Sequence, residues 1–588
     1  MAEHSARPDP TRRKSGIFFA QVIPRTTTWI DLTVLLFVGA LAYGIMNVAA
    51  EWRAPLQAAV QIDLSVSALP RYTFYSLCRG LVAFGLSLFF TLLYGYVAAR
   101  VRGADRVMLP LLDILQSIPV LGFMPGVVLA LAALFPTSNF GLELAAVVMI
   151  FTGQVWNMTF SFYHSLRAIP PELLDAARIY RFGWWRRFAK IELPYSTVGL
   201  VWNGMMSMAG GWFFLTVNEA FRLGDRDFRL PGVGAYMSVA IDHGDRAAML
   251  AAIIAMVLMI VVLDQLMWRP LVAWSERFKL EDVGATTTSQ SWVLDLVRRS
   301  RFYAWYKEGR ERWREHRLRH GARTIAAAEA QPARPSSGAA ARAAPWILLG
   351  GFALVCLWGG VRLVVLLGQL RGDDWLAIAS AGGLTLVRTT FAVIVGTLWT
   401  VPAGIYIGTH PRAARILQPV VQVAASFPAP MLFPLVLLVL ADLHISLGVG
   451  SVVLMVLGTQ WYILFNVIAG AMSIPHELDE AARVYGFSRR QRWMRLLLPG
   501  VFPHLVTGWV TAAGGAWNAS IVSEYVHFGG EVQTTHGLGA LISNAAERGS
   551  FALLAAGVLA MAMIVVLINR VFWKRLYDLA ERRFALSK

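Results

Sequence analysis

Twelve apolar runs constrain this chain more than any other feature of its sequence. Each is about 20 residues long, which is the length that an α-helix needs to cross the hydrocarbon core of a bilayer. They lie at about 29–50, 74–99, 108–135, 143–165, 196–221, 246–268, 346–370, 383–407, 417–440, 447–469, 500–524 and 550–572. They also explain why 56% of the residues are hydrophobic and only 15% are charged, since soluble domains carry about 25% charged residues. The sequence therefore predicts an all-α membrane protein with twelve transmembrane helices, and it argues against a soluble enzyme or a disordered chain.

The basic residues predict which side of the membrane each loop occupies, because lysine and arginine are retained on the cytoplasmic side. With the N-terminus placed inside, the outer loops hold seven of the 53 basic residues: Arg53, Arg71, Arg226, Arg229, Arg246, Arg371 and Arg548. Both termini are therefore predicted to be cytoplasmic. The net charge of +17 is then explained by basic residues that are retained on the cytoplasmic side and contact lipid. It does not indicate a nucleic-acid partner.

The second six spans repeat the first six. Residues 170–183 read PPELLDAARIYRFG and residues 475–488 read PHELDEAARVYGFS, at an offset of 305. Upstream of the fourth span the offset becomes 309. Further equivalent pairs are Trp156 with Trp461, Glu219 with Glu524, Arg79 with Arg388, Pro119 with Pro428 and Pro125 with Pro434. Because six is an even number, both copies cross the membrane in the same direction, and the pattern predicts two parallel six-helix repeats. The prolines predict that spans three and nine are interrupted.

The repeat predicts four segments along the chain. They are a cytoplasmic N-terminal segment at 1–28, a first half at 29–279, a cytoplasmic linker at 280–345 and a second half at 346–588. The stretch 295–323 of the linker mixes ten Lys and Arg with aromatic residues. This pattern favours a basic helix on the inner leaflet over a solvated linker helix. An Ala/Pro-rich tether follows it.

An inner loop of about 30 residues is the most distinctive part of each repeat, at 166–195 and at 471–499. Each loop carries a proline, Pro170 or Pro475, where a short helix begins. A pair of alanines then gives that helix a flat face, which a groove of another protein could accept closely. A structured loop without a partner is the alternative, but two copies at matching positions favour docking.

These loops resemble the EAA loop of ATP-binding-cassette importer permeases, whose pattern is E-A-A, three residues, G, nine residues and I-x-L-P. The second copy reads EAA at 480–482, then Gly486, then LLLP at 496–499. The first copy keeps this spacing but has Asp175 in place of Glu and Arg181 in place of Gly. The resemblance implies that ATPase subunits dock on Glu172, Asp175, Ala176, Ala177, Arg178, Gly183, Glu477, Glu480, Ala481, Ala482, Arg483 and Gly486.

The same resemblance implies a type I importer permease of the bacterial inner membrane, with two permease halves fused in one chain. Two cytoplasmic ATPase subunits would dock on the two loops, and an extracytoplasmic substrate-binding protein would deliver the solute. GGAW at 514–517, Glu524 and GLG at 537–539 are similar to the nitrate, sulfonate and taurine permeases. The solute implied is therefore a small anion.

No motif for catalysis is present in the sequence. It contains no GxxxxGK[ST], no HExxH, no GxSxG and no metal-ligand spacing of Cys and His. We therefore expect a transport subunit and not an enzyme, with no catalytic residue, no metal and no cofactor of its own. ATP and Mg²⁺ would be bound by the partner ATPase.

Two arginines and two glutamates fall inside or at the ends of predicted spans. Ionisable groups at that depth usually have partners, so we predict the ion pairs Arg79–Glu219 and Arg388–Glu524. They could anchor the spans to one another, or an arginine could meet an anionic solute. The candidate residues of the translocation pathway are Arg79, Arg388, Trp212, Trp517, Asn218, Asn518, Glu219 and Glu524. For the tryptophans, packing or interface anchoring is the alternative.

Three other hypotheses compete with this interpretation. A fused permease of the ferric-ion type would share the duplicated loop, although the GGAW and GLG stretches argue against it. An ion-gradient-driven secondary transporter needs no such loop and usually has acidic residues near the midplane. A membrane enzyme or scaffold is the third hypothesis, but an enzyme would need a catalytic cluster. The duplicated loop therefore favours the ATP-driven importer.

Overall fold

The computed structural model describes residues 27–54, 61–223, 226–278, 291–299, 309–310, 312, 354, 357–528 and 531–584. Most of the predicted N-terminal segment, most of the predicted linker and the first part of the predicted seventh span lie outside these residues. The chain forms two compact units. One combines Met1–Tyr43 with Trp292–Pro335, and the other combines Gly44–Ser291 with Ser336–Lys588. The second unit contains both repeats.

The first half is built almost entirely of helices. They are α1 (Thr27–Arg53), α2 (Leu69–Arg100), α3 (Asp105–Ser117), α4 (Val120–Leu134), α5 (Phe140–Arg167), α6 (Pro171–Ile179), α7 (Trp184–Arg187), α8 (Leu193–Glu219), α9 (Val233–Asp242), α10 (Arg246–Leu263) and α11 (Arg269–Ser275). A short antiparallel pair, β1 (Arg222–Leu223) and β2 (Arg226–Asp227), follows α8. In the linker, α12 covers Trp292–Arg299.

The second half repeats this order. Its helices are α13 (Leu357–Leu367), α14 (Gly372–Thr409), α15 (Pro411–Ser426), α16 (Phe433–Asp442), α17 (Leu447–Met472), α18 (His476–Val484), α19 (Arg489–Arg492), α20 (Leu498–Ser523), α21 (Leu538–Glu547), α22 (Phe551–Ile568) and α23 (Lys574–Phe584). An antiparallel hairpin, β3 (Tyr525–Phe528) and β4 (Glu531–Thr534), follows α20.

Irregular turns recur at equivalent positions in the two halves. A π-helical turn at Phe188–Glu192 has its counterpart at Trp493–Leu497, and one at Asp264–Trp268 has its counterpart at Asn569–Trp573. Each pair is separated by the offset of 305 that the sequence shows. The predicted duplication is therefore confirmed at the level of single turns.

Among the described residues, seven helices are long and apolar enough to cross a membrane, or eight if one bent pair is counted as a span. They are Val66–Arg100, Phe140–Arg167, Arg246–Phe278, Gly372–Thr409, Leu447–Met472, Arg489–Ser523 and Phe551–Phe584, with Pro411–Ser426 and Ala429–Asp442 as the bent pair. The first, third, fifth and seventh predicted spans are not among them. Twelve spans and cytoplasmic termini therefore stay predictions.

The predicted interruptions of spans three and nine are confirmed. Chain direction changes by 84° between Pro411–Ser426 and Ala429–Asp442. In the first half, two residues likewise separate the end of α3 from the start of α4. Pro119 and Pro428 are both extended at these breaks. A proline disfavours the helical conformation of the residue before it and supplies no N–H, so each break lies where the sequence places a proline.

Small residues bring the long helices of each half close together. In the second half, α14 packs along α17, and a Cβ atom added at Gly408 would lie 2.5 Å from Ala471 Cβ and 2.8 Å from the Ile468 carbonyl oxygen. Gly383, on the same helix, has nothing within 4 Å of such an atom. Of these two glycines, Gly408 is therefore the one whose missing side chain the helix contact requires.

We predict that Gly408→Ala lowers the free energy of unfolding by about 1–3 kcal/mol, because it overpacks a tight helix contact. Gly383→Ala is the matched control, and it should leave stability unchanged or raise it by up to about 1 kcal/mol through helix propensity. Thermal unfolding of the purified chains in detergent measures both. Equal effects of the two substitutions would contradict this account of the packing.

Candidate functional site

Three charged side chains meet where α2, α5 and α8 come together. The Nε and Nη2 atoms of Arg79 donate to the two carboxylate oxygens of Glu143 at 2.5 and 2.6 Å, and its Nη1 donates to Glu219 at 2.7 Å. All three side chains are buried, with 1% of Arg79 exposed. The predicted pair Arg79–Glu219 is confirmed, and Glu143 makes it a cluster of three.

The segment that leads into α9 wraps around the Glu219 carboxylate. The backbone N–H of Gly234 donates to Glu219 at 2.8 Å, and the Ser76 hydroxyl donates to it at 2.7 Å. Ser76 also accepts the N–H of Val233 at 2.9 Å. A Cβ atom at Gly232 would lie 2.3 Å from the carboxylate carbon. The first glycine of the GVG stretch therefore lets the backbone approach a buried charge.

The second half repeats the arrangement around Glu524. Arg388 Nη1 donates to Glu524 at 3.0 Å, the Thr385 hydroxyl donates to it at 2.9 Å, and the N–H of Gly539 donates to it at 2.8 Å. A Cβ atom at Gly537 would lie 2.3 Å from a carboxylate oxygen. The predicted pair Arg388–Glu524 is therefore confirmed, with Thr385 in the place of Ser76.

The two clusters also differ in the number of carboxylates that face the arginine. Where the first half has Glu143, the offset of 305 places Gly448, and a Cβ atom there would lie 3.5 Å from Arg388 Nη2. That nitrogen instead donates to the Thr535 hydroxyl at 2.9 Å, and 13% of the Arg388 side chain is exposed. Sequence reasoning missed Glu143, although an acidic residue inside a predicted span was a usable signal.

The two predicted docking helices, α6 and α18, are surface elements. Ile179 and Val484, near their C-terminal ends, are 78% and 85% exposed. The charged candidates on both helices are also exposed, namely Glu172, Asp175, Arg178, Glu477, Glu480 and Arg483. In contrast, Ala177 and Ala482 are buried. The alanines therefore let each helix lie close to its own chain, and the outward face is formed by charged and larger apolar side chains.

Both docking helices end in the same turn. After α6 the N–H of Phe182 bonds to the carbonyl of Ala177, and after α18 the N–H of Phe487 bonds to that of Ala482. This six-to-one bond marks a Schellman cap, which needs a left-handed residue just before it. Arg181 adopts φ 47° and Gly486 adopts φ 66°. The turn is thus conserved between the halves although arginine replaces glycine, and Gly183 is not left-handed.

Each docking loop is braced by an ion pair, but the pairs differ. In the first half Arg100 Nε and Arg187 Nε lie 2.9 and 3.1 Å from a carboxylate oxygen of the buried Glu192. In the second half Arg492 donates from its Nε to Asp479 of α18 itself, at 2.7 Å. The first loop is thereby attached to the end of α2, and the second is closed on itself.

A cavity of about 220 Å³ lies between the two halves, next to the broken helices. Two of the pathway candidates, Trp517 and Asn518, line it, and so do the repeat-related Trp156 and Trp461. Asn518 also joins the halves, because its side-chain oxygen accepts the N–H of Val120 at 2.7 Å. All lining side chains that the structure describes are uncharged, and the polar ones include Gln116, Asn157, Gln422, Asn518 and Asn569.

The other pathway candidates lie elsewhere. Trp212 is buried against Gly80, where a Cβ atom would come within 2.7 Å of the indole ring. Asn218 is buried and donates to the carbonyl of Phe214 at 2.7 Å. Neither residue lines this cavity.

We predict that Glu219→Gln destabilises the chain by about 3–5 kcal/mol, because an amide donor would then face the donors that the carboxylate satisfies. Glu143→Gln is the matched control. It leaves Arg79 paired with Glu219, as Arg388 is paired with Glu524, and should cost about 1–2 kcal/mol. Thermal unfolding in detergent compares them, and a larger loss for Glu143→Gln would overturn the assignment of Glu219 as the centre of the cluster.

Comparison with known proteins identifies the family. The profile described as the inner membrane component of binding-protein-dependent transport systems matches residues 92–268 and 400–586. Both matches contain a docking helix and the broken helix that leads to the cavity. The family domain is therefore present once in each half.

Several permeases are similar to parts of the chain. The taurine transport system permease protein TauC of Escherichia coli (strain K12) is 27% identical over 203 residues, 34% of this chain and 68% of the relative. The nitrate import permease protein NrtB of Leptolyngbya laminosa is 25% identical over 202 residues, 34% of this chain and 67% of the relative. The trimethylamine N-oxide transport system permease protein TmoV of Pelagibacter ubique (strain HTCC1062) is 22% identical over 489 residues, 76% of this chain and 64% of the relative. The chain belongs to the inner membrane components of binding-protein-dependent transport systems, with two copies of the permease domain fused in one multi-pass protein of the bacterial inner membrane.

Proposed function

We propose that this chain forms the complete translocation pathway of an ATP-driven importer and docks one ATPase subunit on each half. The pair of exposed helices α6 and α18 carries this proposal. They have the same length, the same terminal turn and the same outward Ile or Val followed by tyrosine. Two identical or related ATPase subunits need two such surfaces, and a single chain with both surfaces presents them in a fixed ratio.

The connections of each docking helix suit the transmission of movement. Helix α5 ends at Arg167, four residues before α6 begins, and α8 begins at Leu193 after a short helical connection. In the first half the Glu192 pairs attach this connection to Arg100 at the end of α2. A displacement of α6 is therefore passed on to the long helices whose other ends carry the Arg79 cluster. In the second half Asp479 makes α18 and its following turn a single rigid piece.

The solute would pass through the cavity between the halves. The names of the relatives point to small solutes with oxyanion groups, and we propose a small anion such as a sulfonate, nitrate or taurine, delivered by an extracytoplasmic binding protein. Arg79 is enclosed by two carboxylates and serves as an anchor. Neutral N–H donors of amide and indole groups would meet the solute instead. Neutral donors suit a pathway, since binding must be weak enough for release.

The lining also bears on the competing hypotheses. A ferric ion prefers carboxylate and other hard oxygen ligands, and the lining side chains that the structure describes include no Asp, Glu or His. A proton- or sodium-driven carrier would use acidic groups near its solute site. This cavity therefore gives less support to these two mechanisms than to a permease driven by separate ATPases. Asp242, His527 and Glu547 line a different cavity between the halves, of about 260 Å³.

We predict that Ile179→Asp combined with Val484→Asp reduces co-purification of the ATPase subunits at least tenfold, because each change places a charge in an apolar contact. Val532→Asp, at an exposed position of β4, is the matched control and should retain the ATPase. A pull-down of co-expressed, tagged subunits measures the retained ratio. Full retention by the double variant would rule out docking through these helix ends.

We also predict that Asn157→Leu lowers the initial rate of ATP-dependent uptake about tenfold, because Asn157 is exposed to the cavity and would donate to the desolvated solute. Asn466→Leu, on the equivalent helix of the second half and outside the cavity lining, should leave uptake within about twofold of the wild type. The cargo for this assay is first identified by a thermal-shift screen of the cognate binding protein. Unchanged uptake by Asn157→Leu would remove this residue from the pathway.

A further inference from the structure

A large apolar groove opens on the second half. It has a volume of about 560 Å³ and lies between α14, α20 and the two final helices α22 and α23. Its wall includes Val393, Leu398, Trp509, Phe572 and Trp573. We call it the lateral groove. Its volume falls in the range of about 300–1,000 Å³ that is typical of ligand pockets.

The threonine hydroxyls and the Trp509 indole of the groove wall are hydrogen-bonded within the protein. The hydroxyls of Thr389 and Thr390 both donate to the carbonyl of Leu386, at 3.0 and 2.8 Å. The Thr397 hydroxyl donates to the carbonyl of Val393 at 2.6 Å and accepts the indole N–H of Trp509 at 2.8 Å. The threonines therefore present methyl groups to the groove, and its occupant must be apolar.

The first half has the same site, but there it is filled. Trp268 is buried and lies edge-on to Phe84, with ring centres 5.5 Å apart. Gly204 makes room for both rings, since a Cβ atom there would lie 3.2 Å from Phe84 and 3.5 Å from Trp268. Met208 completes the packing. The small cavity that Met208 and Trp268 line measures about 10 Å³, and residues of the second half, among them Gln422, close it.

Specific substitutions open the site in the second half. Val393 stands where Phe84 stands in the first half, and Ala513 stands where Met208 stands. Trp509 replaces Gly204, but its indole is bonded to Thr397. Trp573, the counterpart of Trp268, is only half-buried. The groove is thus a difference between two copies of one site and not a general gap in the fold.

The groove faces the part of the surface that a bilayer covers. Its walls belong to Gly372–Thr409 and Phe551–Phe584, two of the apolar helices long enough to cross a membrane. Leu398 and Phe572 are exposed at its edge. Water is not stabilised in a mainly apolar site, because it needs two to four polar partners. In a bilayer the available apolar molecule is the fatty-acyl chain of a lipid.

Basic residues continue the groove at the end predicted to be cytoplasmic. Arg575 lies three positions after Phe572, and Arg583 lies seven positions after Leu576, so helical periodicity puts both on or beside the groove face of α23. Both are exposed. Asp578 and Glu581 fall on the opposite side of that helix. This charge distribution suits a phosphate headgroup in the cytoplasmic leaflet.

We propose that the lateral groove binds an acyl chain of an anionic phospholipid from the cytoplasmic leaflet, with Arg575 and Arg583 at its headgroup. Trp517 and Asn569 line both this groove and the cavity between the halves. An acyl chain in the groove would therefore contact Trp517, a candidate pathway residue, from the side of the groove. The first half would have no such contact. This inference does not depend on the identity of the solute.

The test uses the full-length chain, purified in mild detergent from membranes that contain phosphatidylglycerol, and native mass spectrometry of the bound lipid. We expect about one retained phosphatidylglycerol per wild-type chain. Val393→Phe, which restores the first-half residue, should reduce retention at least fivefold. Arg575→Gln combined with Arg583→Gln should also reduce it, and should do so selectively relative to phosphatidylethanolamine.

Val387→Phe is the matched control, because Val387 is an exposed residue of the same helix outside the groove. It should retain lipid like the wild type. If Val393→Phe lowers the stability of the chain, Val393→Leu is used instead, and it should reduce lipid retention by a smaller factor. A diazirine-labelled acyl chain should crosslink to 386–398 or 565–576. Equal lipid retention by Val393→Phe and Val387→Phe would overturn the proposal. Lipid crosslinks confined to other helices would also overturn it, and so would a crosslink within the protein that shows another segment of the chain in the groove.

Discussion

The rest of the structure depends on burying a charged arginine in each half. An unpaired ion inside a membrane protein is costly, so Arg79 imposes requirements on four separate segments. Helices α5 and α8 must supply Glu143 and Glu219, α2 must supply Ser76, and the loop before α9 must come close enough to donate a backbone N–H. That approach in turn requires glycine at 232. The GVG stretch is therefore explained by the charge that it surrounds.

The duplicated chain has kept this constraint while its two halves have diverged around it. The first half holds its arginine with two carboxylates, fills the site beside Trp268 and attaches its docking loop to α2. The second half has one carboxylate, a partly exposed Arg388, an open lateral groove and a docking loop closed by Asp479. Both halves share one hydrophobic core, in which Trp212 and Trp517 both take part. Fusion into one chain permits such differences, because each half always meets the same partner half.

Sequence reasoning predicted the features that a one-dimensional pattern determines. The repeat offset aligned Arg79 with Arg388 and Glu219 with Glu524, and prolines 119 and 428 predicted the breaks. It could not predict which face of a helix looks into the cavity, and the structure places two of the pathway candidates, Trp212 and Asn218, outside the cavity lining. Glu143 was missed because its counterpart is Gly448, so that no repeated pair drew attention to it. The buried alanines of α6 and α18 show the same limit, since exposure depends on tertiary contacts.

The central claim is that two external ATPase subunits drive solute through the interface between the halves. The most direct test is uptake into proteoliposomes that contain the chain with its ATPase and binding protein, each vesicle loaded with ATP or with a non-hydrolysable analogue. The account predicts uptake that requires hydrolysable ATP and the binding protein, and that persists when ionophores dissipate proton and sodium gradients. Uptake without ATP that is abolished by an ionophore would contradict it and would identify an ion-coupled carrier.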